Sequence, residues 1–167
     1  MASQASIQIR PVVGDDCIAL CALLNAIIER GGTTAHQTPL TPADFAAKFI
    51  ENPHNITCLV ACLEDGTQLG FQHVARNSDL PENWGDISTF ALIDSPVRGV
   101  GTALFEATKK AARQASLVAI YAKIRADNVP GLGYYSKMGF VDYAVAEAVP
   151  LANGTPVDRI SKKFHLN

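Results

Sequence analysis

With 167 residues, 48% of them hydrophobic, the chain has the length and apolar content of one globular domain with a sizeable core. Its 14 Lys and Arg against 16 Asp and Glu leave a formal charge of −2, too little to gather nucleic acid or an anionic membrane. The start is short and polar and no run is apolar enough to span a bilayer, so a cytoplasmic protein without a membrane partner is expected.

In chain order, Ile7 to Pro11 reads as a first strand, and Asp15 or Asp16 can cap the helix after it. That helix carries Cys17, Leu20, Cys21, Leu24 and Ile28 at a period near 3.6 and stops at Gly31-Gly32. The Thr- and Pro-rich stretch 33–42 is a loop, and Thr41-Pro42 opens a second helix to about Glu51. Ile56 to Leu63 and Gln68 to Arg76 form a hairpin around Glu64-Asp65-Gly66-Thr67. Residues 77–85 make a long polar turn before a strand from Asp86 to Ile93. A helix over Thr102 to Gln114, a strand over Leu117 to Ile124 and a short helix over Gly131 to Met138 follow. Phe140 to Val149 and Val157 to Phe164 close as a hairpin around Asn153-Gly154, whose edge offers a surface for a homodimer.

The order βααβββαβαββ predicts an α/β (α+β) mixed sheet of about seven strands flanked by about four helices. One crossing must be parallel, because a helix joins two strands running the same way. The four cysteines lie on core-like faces, Cys17 with Cys21 and Cys58 with Cys62, and read as buried thiols rather than a zinc site, so no metal is expected.

The chemistry concentrates at Pro96-Val97-Arg98-Gly99-Val100-Gly101-Thr102-Ala103-Leu104, between a strand and a helix. Two glycines there allow a sharp turn and leave amide N–H groups at a helix start, where the dipole favours an anion. Arg98 adds a planar cation suited to phosphate. A Walker A loop would need Lys after the glycines, and a dinucleotide fingerprint would need a third glycine where Leu104 stands. The second segment is Asn128-Val129-Pro130-Gly131-Leu132-Gly133-Tyr134-Tyr135-Ser136-Lys137-Met138-Gly139-Phe140.

Together and in this order, the two segments resemble the pyrophosphate loop and the Asn…Tyr…Gly-Phe segment of the GNAT N-acetyltransferase superfamily. Ile9-Arg10-Pro11, Leu24 to Glu29 and the 33–42 loop are similar to its phosphinothricin acetyltransferase type. The resemblance implies a single acetyltransferase domain over residues 1–167, a sheet that splays where the parallel strands part, and acetyl-CoA in the opening. Two registers of the loop stay open. In one, Gly99, Gly101 and Leu104 fill the family slots and Pro96 falls on the first basic position; in the other, Arg98 takes that position. Residues 97–102, with Arg98, Gly99, Val100, Gly101 and Thr102, form the cradle in both.

Acyl transfer to an amine needs a base for the amine, a donor for the carbonyl oxygen and an acid for the leaving thiolate. By resemblance, Tyr135 is the acid and touches the cofactor, Asn128 also contacts it, and the backbone from Ala91 to Ile93 pairs with the pantetheine arm and the carbonyl oxygen. Tyr134 reads as packing, and Asn128 also suits a helix cap. The phosphinothricin type uses a Glu on the strand before the loop; that slot falls near Ser88, with Asp86 two residues away and no Glu on the strand. Asp86 could act through water, and His73 has a pKa suited to base work. His36, Glu29 and His73 are the acceptor-side candidates, and ordered water alone could also remove the proton. The expected reaction is direct attack by the primary amine of a small molecule, an amino acid or analogue, in a ternary complex. A non-catalytic acyl-CoA-binding module and a protein N-terminal or lysine acetyltransferase are the alternatives.

Overall fold

The computed structural model describes residues 5–167. The elements follow the predicted order: β1 (Gln8–Pro11), α1 (Cys17–Arg30), α2 (Pro42–Phe49), β2 (Asn55–Cys62), β3 (Gln68–Ala75), β4 (Trp84–Ala91), α3 (Val100–Gln114), β5 (Ala119–Arg125), α4 (Val129–Met138), β6 (Val141–Pro150) and β7 (Pro156–His165). Gly14–Asp16 forms a short 3-10 turn before α1. The seven strands make one sheet in the order β1-β2-β3-β4-β5-β7-β6, and β4 with β5 is its parallel pair.

Local chemistry explains the boundaries. Thr41 Oγ1 accepts from Asp44 N at 3.1 Å, and Pro42 occupies the first turn, so α2 starts where a cap and a preset φ coincide. Asp16 accepts from Val13 N at 2.8 Å and is clamped by Arg10, with both guanidinium contacts at 2.7 Å. Gln68 of the β2–β3 hairpin donates to the same carboxylate at 2.8 Å, which ties β1, α1 and β3 together.

Strand alternation splits β4 between two cores. Phe90 joins Phe45, Phe49 and Phe71 with the buried side of α1. Edge-to-face pairs at 5.3–5.4 Å link Phe71 to Phe45 and Phe49, and each buried ring contributes about 2–3 kcal/mol. Ile87 points the other way, into a core with Phe105 of α3 and Tyr135 of α4. Helices α1 and α2 therefore cover one face of the sheet around β3 and β4, and α3 and α4 cover the other.

Among the boundaries that differ from the sequence expectation, four shape the region around β4. Trp84 and Gly85 belong to β4 rather than to the polar turn, because they pair with Ala119 and Ile120 of β5. At the other end β4 stops at Ala91, and Ile93 lies in the following turn, where Asp94 takes a left-handed φ of 56°. Helix α3 begins at Val100 instead of Thr102, since Gly99 at φ 84° supplies the turn and Ala103 N bonds Gly99 O at 3.0 Å. Helix α4 begins at Val129 instead of Gly131, because Asn128 caps it.

The parallel pairing runs only from Trp84 to Asp86 against Ala119 to Tyr121. Beyond it β4 continues to Ala91 bonded to β3 alone, and β5 continues to Arg125 bonded to β7 alone. The sheet is thus split at its middle. Leu92 N donates to Leu69 O, so alternation turns the backbone groups of Ile87, Thr89 and Ala91 away from β3 and into the split.

Candidate active site

Three features flank β4. The first is the start of α3. The N–H groups of Val100, Gly101 and Thr102 have no carbonyl one turn earlier, so they are free to meet an anion. No acidic residue stands in that first turn, and Arg98 is exposed with no ion pair among the described residues. A Cβ on Gly101 would lie 2.5 Å from Tyr134 Cε2, so a glycine is required for that ring to pack there. These residues fit a pyrophosphate: the loop has a φ only glycine holds easily, unpaired amides and an unpaired guanidinium.

The second feature lies on the α3/α4 face. Tyr135 is buried, and its Oη stands 2.9 Å from Thr89 Oγ1. Gln72 Nε2 donates to Thr89 Oγ1 at 2.9 Å and to Tyr134 Oη at 3.1 Å. Tyr134 donates its own O–H to Gly101 O at 2.7 Å. Tyr134 is therefore a bonded member of the site and not simple packing, which corrects the sequence expectation. Burial raises the phenols of both tyrosines, Tyr134 to about 12 and Tyr135 further, so both stay protonated at neutral pH.

The third feature is a cleft of about 690 Å³ on the opposite, α1/α2 face, lined by Lys48, His73, Asn77, Asp86 and Ser88 among others. Asp86 accepts from Asn77 Nδ2 at 3.0 Å, and burial raises its carboxyl above the usual range. A carboxylate so raised is better matched to proton removal near neutral pH. Ser88 is half-buried and lines the same cleft. Lys48 Nζ approaches His36 Nε2 at 3.1 Å. Lysine can only donate there, so Nε2 of His36 is the lone-pair nitrogen. Burial lowers the pKa of Lys48, and burial with the Lys48 charge lowers that of His36.

His73 is held as a neutral hydrogen-bond donor. Asn55 Nδ2 donates to Phe49 O at 2.9 Å, which turns Asn55 Oδ1 towards His73 Nε2 at 2.5 Å. Nε2 must then carry the proton, and burial with the Lys48 charge holds the imidazole at about 4. It stays neutral at working pH and packs edge-on to Phe49 at 4.9 Å. Glu29 stands exposed at the end of α1 and does not line the cleft. Asn128 Oδ1 accepts from Gly131 N at 3.0 Å and its Nδ2 donates to Thr33 O at 3.0 Å, so the side chain caps α4 and holds the 33–41 loop. Arg125 Nη1 reaches Thr34 O, and two bonds of 2.8 Å join Asn25 to Leu40. The loop is therefore strapped across the split, with His36 beside Phe90 at 6.4 Å.

Lys48, Gln72, Thr89 and Asn77 were missed in the sequence. Gln72 had a signal: with His73 it interrupts an otherwise apolar strand between Leu69 and Val74, and it is fully buried. Lys48 had none, since a lysine near the end of an amphipathic helix reads as a solvated one.

The model of the acetyltransferase (GNAT) family matches residues 23–140, well over half of the chain. The chain belongs to that family and is an acyltransferase. No curated protein matches it. Among solved structures it is similar to an N-acetyltransferase from Staphylococcus aureus Mu50, with TM-score 0.86, 19% identity, 98% of this chain and 100% of that one covered. It is also similar to a GNAT superfamily phosphinothricin acetyltransferase from Sinorhizobium meliloti in complex with AcCoA (TM-score 0.83, 18% identity, 96% and 89% covered). A ribosomal-protein-alanine N-acetyltransferase from Brucella melitensis follows, with TM-score 0.84, 20% identity and 95% and 99% covered. At such identities the likeness is one of fold. Among the described residues no group of His, Cys, Asp and Glu could hold a metal ion, and no helix is long and apolar enough to cross a membrane.

Proposed function

We propose that this chain, as a single domain, is an acetyl-CoA-dependent N-acetyltransferase acting on the primary amine of a small molecule, an amino acid or an analogue. The observation that carries the reading is the position of the split. It has the anion cradle at one end, a protonated phenol on one face and a raised carboxylate in a cleft on the other.

Acetyl-CoA supplies an activated acetyl thioester. Arg98 and the amides of residues 99–102 would hold its pyrophosphate. Thr89 and Ala91 turn backbone groups into the split, suited to the pantetheine amides and the carbonyl oxygen; Ile93, beyond the strand end, is not aligned for this. Asp86 accepts a proton from the ammonium of the acceptor, directly or through water held with Ser88, so the amine attacks in a ternary complex. Tyr135 donates its proton to the departing sulfur. Cys17, Cys21 and Cys62 are buried, and burial raises the Cys58 thiol to about 12, so no thiol is suited to a ping-pong route.

The bounded cleft and the strapped 33–41 loop favour a small acceptor. Lys48, with no carboxylate partner among the described residues, supports one that carries a carboxylate. Four free thiols support a cytoplasmic location. Strand β6, outermost and exposed at Val141, Tyr143 and Val145, supports a homodimer. The test is release of free thiol from acetyl-CoA across a panel of amino acids, phosphinothricin, simple amines and short peptides. Turnover confined to small amines supports the reading, and turnover confined to peptides contradicts it.

A further inference from the structure

The buried polar chain between β3, β4 and α4 has a defined direction. Tyr134 has one proton, and Gly101 O at 2.7 Å can only accept it. The Tyr134 oxygen can then only accept from Gln72. This fixes the Gln72 amide with its NH2 towards Tyr134 and Thr89, although its Oε1 is left buried without a partner. Flipping the amide would set two acceptors, Gln72 Oε1 and the Tyr134 oxygen, against each other at 3.1 Å. With Nε2 donating to Thr89 Oγ1 at 2.9 Å, the Thr89 proton remains free, and Tyr135 Oη is the group 2.9 Å away.

We propose that Thr89 is a positioning residue for acid catalysis: oriented by Gln72 and Tyr134, it donates its hydroxyl proton to Tyr135 Oη and leaves the Tyr135 proton for the leaving group. The inference rests on Tyr135 being the acid. In that step the carbon–sulfur bond breaks, sulfur keeps the electron pair and takes the Tyr135 proton, and the resulting phenolate accepts from Thr89 until solvent reprotonates it. Tyr134 bonds the first turn of α3, so the cradle and the acid share one hydrogen-bonded chain.

The test places a polyfluorinated tyrosine at position 135, whose more acidic phenol offsets the rise that burial imposes and is titrated by absorbance without any substrate. The other ionisable groups bearing on this phenol, Tyr134 and Asp86, are unchanged in both Thr89 variants. Thr89→Val should raise that ionisation by about one unit, the loss of one charge-assisted hydrogen bond. Thr89→Ser should restore it. In the natural-tyrosine background Thr89→Val should lower kcat about tenfold with acetyl-CoA affinity unchanged, and Thr89→Ser should recover it. Tyr134→Phe, which unlocks Gln72, should move the ionisation in the same direction as Thr89→Val. An unmoved ionisation in Thr89→Val, or a Thr89→Ser as impaired as Thr89→Val, overturns the proposal. Full turnover in Tyr135→Phe overturns the acid assignment itself and the proposal with it, an outcome distinct from failure of Thr89 alone.

Discussion

Asp86 and Thr89 stand close together on β4 yet face opposite sides of the sheet. Asp86 lines the cleft beneath α2, while Thr89 Oγ1 lies 2.9 Å from Tyr135 Oη on α4. One strand thus presents a proton acceptor and the partner of a proton donor to two faces of the same split. Its charge reaches across: the Asp86 carboxylate helps to raise the Tyr135 phenol.

Asp86→Asn should lower kcat/KM by about 10²–10³-fold, the range of a positioned base. Because burial raises the Asp86 carboxyl, the wild-type enzyme should lose activity on acidification at a pH above the ordinary aspartate range. The pH profile of kcat/KM checks both, and the acidic limb should vanish from the residual activity of Asp86→Asn.

Lys48→Met should raise KM about tenfold for acceptors carrying a carboxylate, the loss of one charge-assisted contact. The same amines without the carboxylate should show an unchanged KM. Steady-state kinetics on an amino acid and its decarboxylated counterpart separates the two.

His73 should show no titration between pH 5.5 and 8, because its pKa is held at about 4. Proton NMR of its ring hydrogens reads this directly. A midpoint near the ordinary histidine value of about 6.5 would return His73 to the list of bases.

Asp16→Asn should cost about 2 kcal/mol, since it breaks the pair with Arg10 at a carboxylate only 5% exposed, while the half-exposed guanidinium stays solvated. The Arg10 hydrogen bonds hold the folded carboxyl below its unfolded value. Its contribution is full above the unfolded pKa of about 3.9 and is lost as pH falls through the lower folded value. Urea unfolding at neutral and at acid pH checks this: the gap between wild type and variant should narrow on acidification.

The element order, the 33–41 loop and the glycine turn that opens α3 were legible because each has a local cause. Thr41-Pro42, Gly31-Gly32 and Gly99 act through their own backbones, and amphipathic spacing set the buried side of α1. The strand ends were read less well. Trp84-Gly85 looks like turn chemistry and is recruited by a parallel partner more than thirty residues away, which periodicity cannot see. The site network was illegible for the same reason. Gln72, Thr89 and Tyr134 come from three elements, and only their packing makes Tyr134 a hydrogen-bond anchor. His73 shows the converse: its residue type suggested a base, and burial beside Lys48 lowers its basicity in a way the residue type does not reveal.

The proposed function needs the start of α3 to hold a pyrophosphate at the split between β4 and β5. Calorimetric titration with acetyl-CoA in the absence of acceptor tests it, with Arg98→Ala and Gly101→Ala beside the wild type. Saturable one-to-one binding in the micromolar range, weakened about tenfold or more in each variant, is the predicted result. Absence of binding at millimolar acetyl-CoA, or variants that bind as the wild type does, would contradict it.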